Sequence, residues 1–162
     1  MILKIIIIFV LIAVIAIIVN AVEDNKDDKV TISFRESLDL SGLPVVTFRQ
    51  GNTKLNFILD TGSNVSVIDE TIVKKLKIQE TERKTNITGI GGTSGTLNVV
   101  DINFKYKGVE LSDSFQVVDM SDTLSAIKVT TGVTAHGLIG NEFMQKYEYI
   151  LDFENMVAIM KK

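Results

Sequence analysis

Asp60 is the residue of this chain best placed to do chemistry. It ends the apolar run Phe57-Ile58-Leu59 and is followed at once by Thr61-Gly62-Ser63, a turn. The pattern is expected to carry one carboxylate into a dry interior. An unpaired carboxylate there costs several kcal/mol or shifts its pKa strongly. Proteins keep such a group when it pairs, binds metal or does chemistry. Other chemistries are thinly supplied. The chain has no Cys, and His136 is its one histidine, which disfavours thiol catalysis, a zinc site and a His-dependent triad. The net charge of −3 gives no basic field for nucleic acid. Carboxylate chemistry is what remains. The plainer alternative keeps Asp60 as a structural turn residue. Asp152 has no Thr-Gly turn to aim it and reads as a solvent-facing strand residue. His136 reads as a loop histidine. Asp122, Glu142 and Lys74-Lys75 read as solvated surface.

The elements that must position Asp60 are short. Val30–Phe34 alternates as a strand, and Ser41-Gly42 is a turn. Leu43–Arg49 is a strand with Pro44, the one proline, at its start, where a missing N–H is tolerated. Gln50–Thr53 is a hairpin loop, and Lys54–Leu59 is the strand that delivers Asp60. Val65–Ile68 is another strand. Asp69 then caps a helix from Glu70 to Leu76 with Ile72, Val73 and Leu76 on one face. Strands resume from Thr85 around the glycine-rich turn Gly89–Gly95. The Val99-Val100 pair implies a bulge or a strand covered on both faces. Val109–Leu111 and Phe115–Val118 follow the Lys107-Gly108 turn. Residues 119–135 carry no clear pattern beyond a short helix near Leu124–Lys128. Gly137–Gly140 is an apolar strand, Asn141 caps a helix to Tyr147, and Ile150–Met160 is a closing hairpin. The fold class is all-β, a closed or folded-over barrel with one or two short helices. There is one weak internal echo: apolar strands end at Gly62 and again at Gly140.

Residues 1–22 differ in composition. An apolar run of 15 residues, Ile5 to Val19, follows Lys4. That length lies between a signal-peptide core and a spanning helix. Small residues at Val19 and Ala21 favour cleavage after Ala21, and the Ile-rich run suits a retained anchor equally well. Both readings export the rest of the chain, with Lys4 cytoplasmic and the acidic flank (Glu23, Asp24, Asp27, Asp28) outside. The expected organisation is a signal peptide or anchor over 1–22, a tether and first strand over 23–41, and one domain over 42–162. The location is then membrane-anchored and extracytoplasmic, or periplasmic or secreted after cleavage.

Taken in order, the apolar-Asp60-Thr61-Gly62-Ser63 segment, the glycine-rich hairpin and Leu138-Ile139-Gly140 before a short helix resemble the retropepsin-type aspartic proteases, over roughly Leu43 to Met160. The look is that of single-domain cellular and bacterial members. The resemblance implies an aspartic endopeptidase acting on protein or peptide substrates, with no metal or organic cofactor. Its chemistry needs two carboxylates about 3 Å apart sharing a proton. The chain has one Asp-Thr-Gly, so a homodimer would complete the site. Thr61 would bond across the dyad, Gly62 would let substrate backbone approach, and Ser63 would bond the outer oxygen of Asp60. That last bond would favour the charged form and an acidic optimum. Gly89, Ile90, Gly91 and Gly92 would form the tip of a flap over the peptide. Leu138, Ile139 and Gly140 would hold the active loop from behind. Retroviral members pair an acidic residue with an Arg where this chain has Asn64 and Asn141, so an amide–amide contact is expected there. Apolar pocket walls imply apolar P1 side chains. The competing reading is a non-catalytic domain of the same fold that binds peptide or protein at the membrane surface.

Overall fold

A computed structural model describes residues 29–88 and 94–161. The expected anchor over 1–22, the start of the tether and the flap tip at Gly89–Gly92 lie outside these residues. Among the described residues no helix is long and apolar enough to cross a membrane.

The strands are β1 (Lys29–Ser33), β2 (Val45–Gln50), β3 (Thr53–Leu59), β4 (Ser66–Asp69), β5 (Glu80–Thr88), β6 (Ser94–Tyr106), β7 (Val109–Val118), β8 (Gly137–Ile139), β9 (Ile150–Asp152) and β10 (Val157–Lys161). The helices are α1 (Arg35–Ser41), α2 (Glu70–Leu76), α3 (Ser121–Thr131) and α4 (Asn141–Lys146). The main sheet runs β2-β3-β8-β4-β7-β6, and β6 returns to β2 through the pair Arg49–Lys105, which closes a barrel. Strand β5 adds to the outer edge of β6, and β1, β10 and β9 make a second, smaller sheet. Closure removes the exposed strand edges of an open sheet.

The barrel is filled by Phe48, Phe57, Phe104 and Phe115, all essentially inaccessible, with neighbouring ring centroids 5.3–6.3 Å apart. Val30 and Ile32 of β1 and Ala158 and Met160 of β10 join the same core, so the first strand is built into it. Val99 and Val100 are both buried, yet only Val100 belongs to the barrel core. The strand is thus covered on both faces, as one of the two sequence expectations held.

Helix α2 starts as its sequence implies: the Asp69 side chain accepts from Thr71 N at 3.0 Å. Two elements differ from expectation. Residues 35–41 form α1, and the Gly42 read as a turn is its left-handed C-cap, φ 70°. The segment read as patternless apart from a short helix near Leu124–Lys128 holds the longer α3, which buries only Leu124 and so shows little apolar periodicity. At α4, Asn141 is not the cap. Gly140 takes that position and the Asn141 side chain is used elsewhere.

Candidate active site

Strand β3 packs parallel to β8, with Phe57, Ile58 and Leu59 opposite Gly137, Leu138 and Ile139. The two strands that ended on glycine in the sequence are therefore neighbours. Leu59 is buried, and the chain then leaves the barrel. Asp60 sits at the rim, partly exposed, and Thr61 and Gly62 are exposed. The expectation that Asp60 lies in the dry interior is corrected: the apolar run stops one residue short of it.

The loop is clamped from behind by the backbone of residues 139–142. Asp60 N donates to Ile139 O at 3.0 Å, Asn141 N to Ser63 O at 2.8 Å, and Glu142 N to Asn64 O at 2.9 Å. The Asn141 amide adds a bond to Thr61 O at 2.8 Å. Within the loop, Gly62 N donates to Asp60 Oδ1 at 2.9 Å, which fixes the carboxylate's rotation. Together these bonds hold an acceptor group in one orientation at an open surface, as a general base requires.

The glycine that opens β8 and the one that follows it are required by space. A Cβ on Gly137 would lie 2.1 Å from Val67 O, and one on Gly140 would lie 2.3 Å from Val65 O. Strand β4 passes too close for any side chain. Ser66, buried beneath the loop, accepts from Gly140 N at 3.2 Å. Ile139 is fully buried and Leu138 partly exposed.

Other expectations need correction. Ser63 Oγ donates to Val65 O at 2.7 Å rather than to Asp60, because the turn points it along the loop. The acidic optimum inferred from that bond loses its basis. Among the described residues no hydrogen bond joins the Asn64 and Asn141 side chains. Asn141 instead reaches the Thr61 carbonyl, which lies directly in front of α4.

His136 precedes β8 and is structural. Its Nδ1 accepts from Asn56 N at 2.8 Å, its N donates to Asn56 O, and its carbonyl accepts from Asp69 N. Burial holds its pKa below the ordinary 6.5. Asp152 closes the β9–β10 turn by accepting from Asn155 N and Nδ2. Lys74 pairs with Glu70 on the surface of α2. Buried Asp69 does a second task that the sequence did not signal: its Oδ2 accepts from Met120 N at 2.8 Å and ties α2 to the start of α3. Among the described residues no cluster of His, Asp and Glu has the makings of a metal site. The expected flap residues Gly89–Gly92 lie outside the described residues; on either side of them β5 and β6 pair up to Thr88–Ser94.

The aspartyl protease family model matches residues 46–143, a span that includes the Asp60 loop and β8. Among solved structures, EIAV protease complexed with the inhibitor HBY-793 is similar at 24% identity, over 64% of this chain and 86% of that one, with a TM-score of 0.45. A retropepsin-like aspartic protease from Rickettsia conorii is similar at 13% identity, over 82% of this chain and 89% of that one, with a TM-score of 0.49. No curated protein matches the chain in sequence. With the family model covering more than half of the sequence, the chain belongs to the aspartyl protease family.

Proposed function

We propose that the protein is an aspartic endopeptidase that works as a homodimer, with a water activated between Asp60 and Asp60 of a second copy. Family membership supports protease function. The observation that carries the finer reading is the Asp60 loop itself. One oriented carboxylate stands at the rim of the barrel beside exposed Thr61 and Gly62. A two-fold axis through that surface would bring two such groups together. At about 3 Å the pair cannot ionise twice, so one member is a base toward water and the other an acid toward the scissile carbonyl. The two titrate as a unit. The β5–β6 arms would carry a lid over a peptide bound as an added strand. No metal or organic cofactor enters this chemistry.

We further propose that the N-terminal apolar run exports the domain and, if retained, anchors it. Two copies on one membrane would meet at a raised effective concentration, so a weak dimer would suffice.

The test is incubation of the full chain with a mixed peptide library from acid to neutral pH, beside Asp60→Asn. The wild type should cleave and the variant should not, because an amide cannot take the water's proton. Cleavage that survives Asp60→Asn would remove the proposal. Peptide affinity equal in both chains, without cleavage by either, would leave the non-catalytic binding domain.

A further inference from the structure

Gln116 is a polar residue between the apolar side chains of a barrel strand. On β7 its neighbours Phe115 and Val117 turn inward to the core. Gln116 therefore faces outward, opposite Val99 of β6 and Val67 of β4. It is nevertheless only 6% exposed. Its Nε2 makes one long bond, 3.4 Å, to Thr85 Oγ1 of β5. Its Oε1 is sealed from solvent and has no hydrogen-bond partner. A buried acceptor in that state destabilises the free protein unless something else satisfies it.

The same side chain lines a cavity of about 280 Å³ with Val65, Thr85 and Val99, and with Lys84 and Glu142 at its walls. That cavity adjoins the active loop. Val65 O receives the Ser63 hydroxyl, and Glu142 N holds Asn64 O. Lys84 and Glu142 carry opposite charge, so neither sign of ligand is favoured. Arg83, also on the wall, is already paired with Asp101 and Ser114. Val65, from the Val65–Ile68 stretch expected to supply apolar walls, lines this cavity beside polar and charged side chains.

We propose that this cavity is a side-chain subsite of the peptide groove and that the Gln116 amide, turned about its last bond to bring Oε1 into the cavity, is its acceptor, selecting a neutral side chain that donates a hydrogen bond: Asn, Gln, Ser or Thr. The inference rests on the endopeptidase reading for the class of its ligand, an extended peptide. Alternate side chains of such a peptide point to one face, so a residue near the scissile bond can enter the cavity while the backbone lies over the Asp60 loop. A site built to bond a polar group discriminates against the isostere that lacks it, because its own acceptor is then left unpaired.

The experiment uses the full chain and peptides that differ at one position by isosteric pairs, Thr against Val and Asn against Leu. Cleavage is read with the wild type, and binding is read by fluorescence anisotropy with Asp60→Asn. At one position the wild type should favour Thr and Asn about ten-fold in kcat/KM, and Asp60→Asn should show the same order in affinity. Gln116→Met, close in shape but without the acceptor, should reverse the preference toward Val and Leu. Gln116→Glu should shift it toward Lys. A wild type that favours Val and Leu at every position overturns the inference without any variant. So does a Thr-to-Val ratio unchanged in Gln116→Met. If the polar preference appears in binding and responds to Gln116→Met while nothing is cleaved, the subsite stands and the hydrolase reading falls. If peptides are neither bound nor cleaved, both fall.

Discussion

Replacing Gly140 by Ala should damage the active loop more than its single methyl group suggests. Gly140 is extended, φ −94° and ψ 179°, so any residue could adopt its backbone. Space is the constraint. The new Cβ would lie 2.3 Å from Val65 O, 2.5 Å from Val65 C and 2.9 Å from Val65 N. Ordinary carbon contacts begin near 3.5 Å, so the backbones at Val65 and Gly140, just before β4 and just after β8, must part by about 1 Å. The obstacle is backbone on both sides and no side-chain rotation relieves it. Overpacking of this kind costs about 1–3 kcal/mol, and here the upper end is expected. The shift falls on Val65, whose carbonyl holds Ser63, and on Asn141, whose N–H holds Ser63 O. A displacement of about 1 Å at a catalytic loop lowers turnover by roughly a hundred-fold. Urea denaturation and kcat/KM on one peptide measure the two effects. Gly95→Ala is the control, since a Cβ there meets nothing within 4 Å, and its midpoint should match the wild type. A Gly140→Ala chain with wild-type stability and turnover would refute the close-packed account of this loop.

Asn141→Ala removes the bond to Thr61 O. It should cost about 1 kcal/mol in urea denaturation and lower kcat more than it raises KM, because the loop loses a brace and the groove loses no contact. His136 sets a pH dependence of stability. Its folded pKa lies below the ordinary 6.5 because burial disfavours the imidazolium, and protonation at Nδ1 would also break the bond from Asn56 N. Below pH 6.5 the unfolded chain therefore binds the proton more readily than the folded one. Stability should be full above about pH 7 and fall as pH drops through 6.5 toward about 5, where carboxylates begin to titrate. Thermal melts across that window check it, and His136→Gln should flatten the slope.

Much of the barrel was legible because its strands obey simple rules. Lys54–Leu59 and Gly137–Ile139 are short apolar runs ended by turns, and Asp69 three residues before Ile72 announces a capped helix. The Asp60 loop was legible for the same reason: an acidic residue between an apolar run and Thr-Gly stands out. What escaped was set by tertiary contact. Helix α1 holds two serines and buries no residue completely, so no apolar stripe marks it. Helix α3 rests on Leu124 with Ile127 beside it, too little to show a period. Ser63 was assigned to Asp60 by likeness, but its hydroxyl satisfies a carbonyl two residues on, a local bond typical of serine in turns. The role of Asn141 follows from β8 lying directly behind Thr61, which no spacing in the sequence shows. Gln116 between Phe115 and Val117 was the one available signal for the polar cavity: a lone amide inside an apolar strand asks where its hydrogen bonds go.

The shared site is tested most directly by mixing. Wild-type and Asp60→Asn chains are co-refolded at fixed total concentration and activity is read against the wild-type fraction. If two Asp60 carboxylates from two copies make one site, only wild-type pairs cleave, and activity follows the square of that fraction, about one quarter at equal mixing. A linear fall, to about one half at equal mixing, would mean that each chain carries a complete site and would contradict the account.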